Sequence, residues 1–390
     1  MKILLIGEEH VRIKVARHYG QLERRGVQTH YFLDDRSGIT RATTEAQYPL
    51  RARYTVNPKQ GKGALLRYWL DFVRYFHEVR PDLLEVYTSI NPVALLPMVL
   101  YARARGVPVV VVCRGELYPP DFDVQSRLTR SALIRILRLS NLIVYKETYM
   151  PARLDQFAPG VDRFAWTNAI PVRPAGPVER EGNHVLFLNF FKPWRNLEVI
   201  VRAAPRVAER VPDVQFHLVG SSSELAGTSG FFSGLHEYEH GVARLVEELG
   251  VGGTVRIYPF SAEVEEHYAR ARVYLLPADQ VYCNYALLEA MERSIPPVVT
   301  ADVDADARLI VQDGVNGCVV PLDPAALADA VVRLLGDEPL RQRLGCAARA
   351  TVEERFNLAR EVDALVDRYE ALTGRRPRGR LNAAVAAPTT

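Results

Sequence analysis

The richest concentration of reactive groups lies in Tyr285-Ala286-Leu287-Leu288-Glu289-Ala290-Met291, which follows the apolar run Val273-Tyr274-Leu275-Leu276-Pro277. This order reads as a strand, a loop and a helix, with Glu289 in the helix's early turn. A carboxylate at that place can accept two hydrogen bonds from a ribose diol. The N–H groups of Asn284, Tyr285, Ala286, Leu287 and Leu288 at the helix start can hold a phosphate. The structural alternative is a solvated carboxylate on an amphipathic helix. A second group is Phe190-Phe191-Lys192-Pro193-Trp194-Arg195-Asn196, directly after the strand-like Val185–Asn189. Two cations in a loop after a strand suit a diphosphate whose charge grows as the bond to it breaks. Arg195, Lys192 and Glu289 are therefore the candidate catalytic residues, with a pair of solvated surface cations as the alternative reading of the first two. The run Asp302-Val303-Asp304-Ala305-Asp306 has DxD spacing, which can hold a divalent metal. It reads better as a solvated run or a helix start, so no metal is expected.

These residues need a scaffold of strands and helices. Lys2–Ile6, Val27–Leu33, Leu83–Tyr87, Pro108–Cys113 and Leu142–Tyr145 are short apolar runs, and a helical pattern spans Ile13–Arg25. Runs without alternation mark strands buried on both faces, as in parallel sheets. After Ile170-Pro171-Val172-Arg173-Pro174-Ala175-Gly176-Pro177, a linker-like stretch, a second series begins. Its strands are Val185–Asn189, Gln215–Val219, Val255–Tyr258, Val273–Leu276 and Pro297–Thr300. Val362, Leu365, Tyr369 and Leu372 recur at helical spacing. The expected fold class is α/β: two doubly wound, Rossmann-like domains facing a central cleft. The expected domains are 1–172 on the acceptor side, 178–373 carrying the nucleotide sugar and the terminal helix, and a disordered tail, 374–390. Such sheets bind ligands beyond the carboxyl ends of their strands.

The segment Ala286–Thr300 resembles the LLEAM-x-x-G-x-PVV signature of family 4, a large family of retaining glycosyltransferases with two Rossmann-like domains (the GT-B fold). Asp313-Gly314-Val315-Asn316-Gly317 with Val319-Val320-Pro321 is similar to that family's DG-x-NG-x-x-VP turn. Phe216–Gly220 resembles its strand that ends in a glycine beneath the nucleotide, and Ile170-Pro171 its IPNG-type passage into the second domain. Arg80-Pro81-Asp82 and Gly106–Val110 look like its PD and GxPVV strand starts. The resemblance runs to about residue 373 and is most specific over 185–356. It implies a nucleotide-diphosphate sugar as donor, transfer with retained anomeric configuration, no cofactor and no bound metal. It places Gly220 at the donor. It also places Gly7 and Glu8 after the first strand, and Arg114 and Glu116 after Val109–Cys113, on the acceptor side. There Arg114 stands where the family often has His, and suits an anionic group; Glu116 suits a hydroxyl. A solvated loop and an Arg114–Glu116 ion pair are the alternatives.

Two departures bear on the donor. The family has two glutamates eight positions apart; the second falls on Glu289 and the first, which contacts the donor sugar, on Val281. Asp279, Gln280 or Asn284 replaces it, or none does. The family's phosphate loop has an arginine followed by a KG pair. Arg195-Asn196 takes the KG place, the arginine place falls on Asn189 or Phe190, and Lys192 is the shifted substitute. The rival readings are a catalytically weak subunit that binds nucleotide or a partner, and a sugar-nucleotide epimerase.

Length and composition narrow the remaining choices. The chain has 390 residues, 48% hydrophobic and 24% charged, which excludes wholesale disorder. Its longest apolar stretch, Val93–Ala102, is half of the ~20 residues needed to cross a bilayer. Glu8 and Glu9 follow the first strand too soon for a signal-peptide core, and Cys113, Cys283, Cys318 and Cys346 show no metal or disulfide spacing. These features predict a cytoplasmic protein. Residues 1–170 carry 25 Lys/Arg against 16 Asp/Glu, and the remainder 24 against 30, so the front half favours anionic partners. Basic residues there follow no nucleic-acid-binding motif. Val124–Leu139 interleaves Arg127, Arg130, Arg135 and Arg138 with apolar residues. Such a helix lies on the inner face of an anionic membrane or, more commonly, packs by its apolar stripe. The acceptor class, glycan, lipid or small molecule, stays open.

Overall fold

Apolar runs such as Ile3-Leu4-Leu5-Ile6 and Val109-Val110-Val111-Val112 become strands that are at most 3% exposed, because both faces of their sheet are covered. In the computed structural model the described residues are 1–8, 18–34, 51–56, 61–88, 90–113, 117, 122–146, 150–174, 180–221, 235–259, 264–279, 283–300 and 310–377. The chain divides into two units: Met1–Thr167 with Leu358–Thr390, and Asn168–Asn357.

The first unit is built on seven parallel strands: β1 (Lys2–Glu8), β2 (Gln28–Asp34), β3 (Arg51–Thr55), β4 (Leu83–Tyr87), β5 (Val109–Cys113), β6 (Leu142–Tyr145) and β7 (Asp162–Ala165). Their order is β3-β2-β1-β4-β5-β6-β7, so the direction of winding reverses between β1 and β4. Helices α1 (Lys62–Val79), α2 (Pro92–Ala104), α3 (Arg127–Leu139) and α4 (Met150–Phe157) follow in the crossovers. Asn91 caps α2 by accepting from the Val93 N–H at 3.0 Å, and Pro92 opens the helix where its missing donor costs nothing. Ser126 caps α3 through the Thr129 N–H at 3.1 Å. The buried stripe of α3, Ala132, Leu133, Ile136 and Leu137, packs inward, as an amphipathic domain helix does.

The second unit has six parallel strands: β8 (Asn183–Leu188), β9 (Val214–Ser221), β10 (Val255–Pro259), β11 (Ala271–Leu276), β12 (Pro297–Thr300) and β13 (Cys318–Val320). Their order, β10-β9-β8-β11-β12-β13, repeats the doubly wound pattern, with the reversal between β8 and β11. Between them run α5 (Leu197–Ala208), α6 (Leu235–Glu248), α7 (Glu265–Arg270), α8 (Tyr285–Glu292), α9 (Pro324–Gly336) and α10 (Glu338–Arg355).

Two boundaries differ from expectation. The chain leaves the first unit at Thr167, ahead of the proline-rich stretch, and Ile170 already pairs with the second unit through its N–H to the Phe356 carbonyl at 3.0 Å. The last helix, α11 (Leu358–Thr373), belongs to the first unit, not the second. The reason is its apolar stripe, Val362, Leu365, Val366 and Tyr369, together with polar ties that reach the first sheet. The Tyr369 hydroxyl donates to buried Glu85 at 2.5 Å, and Arg25 pairs with Asp363 at 2.5 Å. Beyond it Arg375 pairs with Asp82, so the tail is anchored that far; residues 378–390 lie outside the described set.

Candidate functional site

Ligand sites of doubly wound sheets form where the winding reverses, which in the second unit is the space past β8 and β11. The segment after β8 folds as a single 3₁₀ turn, Pro193–Arg195, closed by Asn196 in the left-handed conformation (φ 48°). The Asn196 amide donates to the Pro277 carbonyl at 3.0 Å and to Asp279 at 2.7 Å. In return the Asp279 N–H donates to the Trp194 carbonyl at 3.0 Å. The loops after β8 and β11 are thereby stitched together, and the Thr300 hydroxyl, at the end of β12, donates to the Ala278 carbonyl at 2.6 Å. Gly220 lies beneath them. Its φ is 124°, and a Cβ there would stand 2.1 Å from the Asn189 carbonyl oxygen, so only glycine lets β9 come this close to the end of β8.

Arg195 and Lys192 project from this loop. Arg195 is half-buried and its Nε is enclosed without a hydrogen-bond partner among the described residues. Burial lowers its affinity for a proton, and the neighbouring Tyr274 phenol partly offsets this. Lys192 sets its ammonium 4.9 Å from the centre of the Trp194 ring, a cation–π distance. Tyr274 is fully buried and its hydroxyl donates to the Leu188 carbonyl at 3.2 Å. Burial raises its pKa; Arg195 opposes the rise and Glu289 adds to it. The cation and the carboxylate are thus both within electrostatic reach of one phenol.

Glu289 sits half-buried on α8 and accepts from the Tyr268 hydroxyl at 3.1 Å. The helix start differs from expectation. Asn284 is its cap, taking the Ala286 N–H at 2.9 Å and the Leu287 N–H at 3.5 Å, while the Leu288 N–H goes to the Asn284 carbonyl at 3.0 Å. The side chains of Ala286, Leu287 and Leu288 are core residues, and Tyr285 packs against the same core. An apolar stripe at helical spacing has one inward face, and here it takes these residues. The N–H groups of Ala286, Leu287 and Leu288 are already engaged within the helix start. Of the three substitutes weighed for the sugar-contacting glutamate, Asn284 and Asp279 are engaged as described, and Gln280 lies outside the described residues, as does Val281.

In the first unit Gly7 is buried in β1, beside Leu33 of β2. Glu8 ends that strand and its side chain is outside the described residues, as are Arg114, Glu116 and the run Asp302–Asp306. Among the described residues no group of three or more His, Cys, Asp or Glu is placed to hold a metal ion.

Sequence reasoning passed over three residues here. Tyr274 and Glu292 sit in otherwise apolar segments, and Tyr268 is the one buried side chain of the polar run Glu265–Arg270; a polar group buried in such a place must have a partner. Glu292 is 1% exposed and accepts from the Arg173 backbone N–H and guanidinium, both at 2.9 Å, with Arg293 and Arg349 each 3.6 Å away. Three cations hold it as a structural anchor of α8.

Two family models match the chain: one described as glycosyl transferases group 1, over residues 182–337, and one described as glycosyl transferase 4-like domain, over residues 11–155. The phosphatidyl-myo-inositol mannosyltransferase of Mycobacterium tuberculosis (strain CDC 1551 / Oshkosh) is 30% identical over 274 residues, which is 68% of this chain and 64% of that protein. The D-inositol 3-phosphate glycosyltransferase of Frankia alni is 31% identical over 203 residues, 51% of this chain and 48% of the relative. The chain therefore spans less than two thirds of the length of these relatives. In three dimensions it is similar to Anabaena HepE in complex with UDP, with a TM-score of 0.75 at 17% identity, covering 95% of this chain and 100% of that one. A glycosyltransferase from Rickettsia africae gives a TM-score of 0.74 at 13% identity, covering 95% and 98%. At these identities the likeness is one of fold.

Proposed function

We propose that this chain, which belongs to the group 1 glycosyltransferases, is a retaining enzyme that moves a sugar from a nucleotide-diphosphate donor to a hydroxyl acceptor. The donor rests on the second unit, with Glu289 on the ribose and Arg195 and Lys192 on the diphosphate. The observation that carries this is Arg195. It is a cation at the sheet's reversal point, partly stripped of water, and among the described residues it has no carboxylate partner. Such a group gains most from an anion whose charge rises in the transition state. The bond from the anomeric carbon to the diphosphate breaks and a bond to the acceptor oxygen forms on the same face. The acceptor's proton leaves with the diphosphate oxygen. The chain's part is to neutralise charge, orient the two substrates and keep water out. Two protein cations supply the neutralisation without a metal ion.

A thermal-shift screen with UDP, GDP and ADP, then their sugars, tests the reading. A ligand at 100-fold its Kd stabilises by about 2.7 kcal/mol, and Arg195→Ala should reduce that shift less than it reduces turnover. No shift with any nucleotide would sink the donor site. A shift with no transfer or donor hydrolysis would favour the binding-only subunit, a reading supported by the engagement of Asn284 and Asp279 elsewhere. Conversion of the donor without any acceptor would favour an epimerase.

For the acceptor we propose a lipid at an anionic membrane surface. The M. tuberculosis relative is named for phosphatidyl-myo-inositol. The exposed large apolar side chains described in the first unit, Leu66, Leu70, Leu100, Val124 and Leu128, lie on α1, on α2 and at the start of α3. Exposed Lys62, Arg67, Arg74, Arg103, Arg127, Arg135 and Arg138 lie on the same three helices, and α2 and α3 contain no Asp or Glu. Each such cation near an anionic surface adds about 1 kcal/mol. Co-sedimentation with phosphatidylglycerol vesicles, absent with phosphatidylcholine and lost in Leu128→Glu, is the expected result. No helix among the described residues is long and apolar enough to cross a membrane.

A further inference from the structure

We propose that Tyr268 is the positioning residue of the donor site, holding the Glu289 carboxylate in one rotamer so that donor binding need not order it. This rests on the donor reading above. α7 has six residues and a single buried one, Tyr268, which is fully enclosed. That side chain runs under α8 and places its hydroxyl 3.1 Å from Glu289 Oε2 and 3.2 Å from the Ala286 carbonyl. A phenol has one proton, and the charged acceptor makes the stronger bond. Burial, and then the Glu289 charge, raise the phenol's pKa, so the proton stays on Tyr268 and the hydroxyl remains a donor.

The ring is itself fixed. The Arg293 guanidinium carbon lies 4.2 Å from its centroid. The same guanidinium donates to the Glu289 carbonyl at 2.8 Å and to Glu265, at the start of α7, at 2.6 Å. Glu289 is therefore gripped at its backbone by Arg293 and at its side chain by Tyr268, and these two residues touch each other. A glutamate loses substantial rotamer freedom when a ligand orders it. Tyr268 removes that cost before the ligand arrives, as preorganisation does elsewhere.

The test is a double-mutant cycle on affinity for the nucleoside diphosphate that gives the largest thermal shift among UDP, GDP and ADP. Tyr268→Phe keeps the ring and loses the hydroxyl. It should raise Kd about ten-fold and donor KM in step, with kcat changed less than two-fold and the melting temperature nearly kept. In a Glu289→Ala background the same substitution should change Kd less than two-fold. A purely structural tyrosine would lower the melting temperature and act equally in both backgrounds. Equal effects, or an unchanged Kd in Tyr268→Phe, overturn the assignment while the donor reading stands on Glu289→Ala alone. An unchanged Kd in Glu289→Ala overturns both. Arg293→Lys, which keeps the charge but loses the planar stack on the ring, provides a milder second variant. A several-fold rise in Kd is expected, and no rise counts against Tyr268 even if Tyr268→Phe folds poorly.

Discussion

Gly220→Ala gives a test whose size follows from coordinates. The added Cβ would lie 2.1 Å from the Asn189 carbonyl oxygen and 2.6 Å from its carbonyl carbon, whereas real Cβ atoms essentially never come within 3.0 Å of a neighbour. The neighbour is backbone, so no side chain can swing away; the end of β8 must retreat by about 0.9 Å. The φ of 124° lies where glycine is free to go and L residues rarely are, which adds strain of order 1–2 kcal/mol. Together these predict a loss of about 3 kcal/mol or more in the second unit. The retreat also carries the loop that bears Lys192 and Arg195, and a 1 Å misplacement typically costs about 10²-fold in rate. Gly250→Ala is the internal control. Its φ is 63° but nothing lies within 4 Å of the added atom, so it should lose only the conformational term. Urea unfolding and steady-state turnover on both variants decide the matter. If Gly220→Ala is no worse than Gly250→Ala in stability, the close approach does not hold the loop and the reasoning fails.

Arg195→Ala should cut turnover by about 10²–10³ with a smaller effect on donor KM, and Lys192→Ala should follow it if Lys192 supplies the second charge; equal kcat in both variants and wild type would refute the diphosphate assignment. Activity should persist in excess EDTA and Asp304→Asn should be nearly silent, whereas loss in chelator with rescue by manganese would place a metal where two cations are proposed. Two buried groups should give the two units opposite responses to pH. Burial raises the Glu361 carboxyl from 4.5 to about 7, against the Thr167 hydroxyl's bond to it. Its contribution to the first unit is full below pH 4.5 and is lost as pH rises through 7, by up to about 3 kcal/mol. His217 is lowered from 6.5 to about 4, by burial first and then by His184 and His267. Its contribution to the second unit is intact above pH 6.5 and is lost as pH falls through 4. Calorimetric scans between pH 4 and 8 should show Glu361→Gln flattening the neutral-side slope alone; an unchanged slope would show that Glu361 does not titrate in this range.

The strands that were legible in the sequence and those that were not differ in a simple way. β1, β2, β4, β5, β6, β8, β9, β11 and β12 are interior strands, and their double burial writes a predominantly apolar run. The strands missed, β3, β7 and β13, all lie at sheet edges, and only β10 among the edge strands was legible. In β3 and β7 the exposed Arg51 and Asp162 break the run. Glu289, Lys192 and Arg195 were legible because each follows an interior strand across a short loop. Tyr274 was not, because an aromatic residue in an apolar strand reads as core, and Tyr268 was not, because it is the one buried side chain of a short, mostly charged helix with no periodicity to mark it. The terminal helix was read correctly as a helix and assigned to the wrong unit. Its periodicity shows that it has a buried face but carries no information on which sheet supplies the cover; the partner, Glu85, lies 284 residues away.

That helix sets an order of events during synthesis. Glu85 is fully buried at the middle of β4 and takes hydrogen bonds from Tyr19 and Tyr369. A ribosome delivers Tyr369 some 350 residues after Tyr19. Between them it extrudes the whole of Asn168–Asn357, roughly 10–40 s of translation at ~5–20 residues per second. The nascent first sheet therefore waits with an acidic side chain in its core until the Tyr369 hydroxyl arrives, while the contiguous second unit has all its strands and can close. The second unit can therefore close before the first is complete, and a stop codon placed just before Leu358 should cripple the first unit.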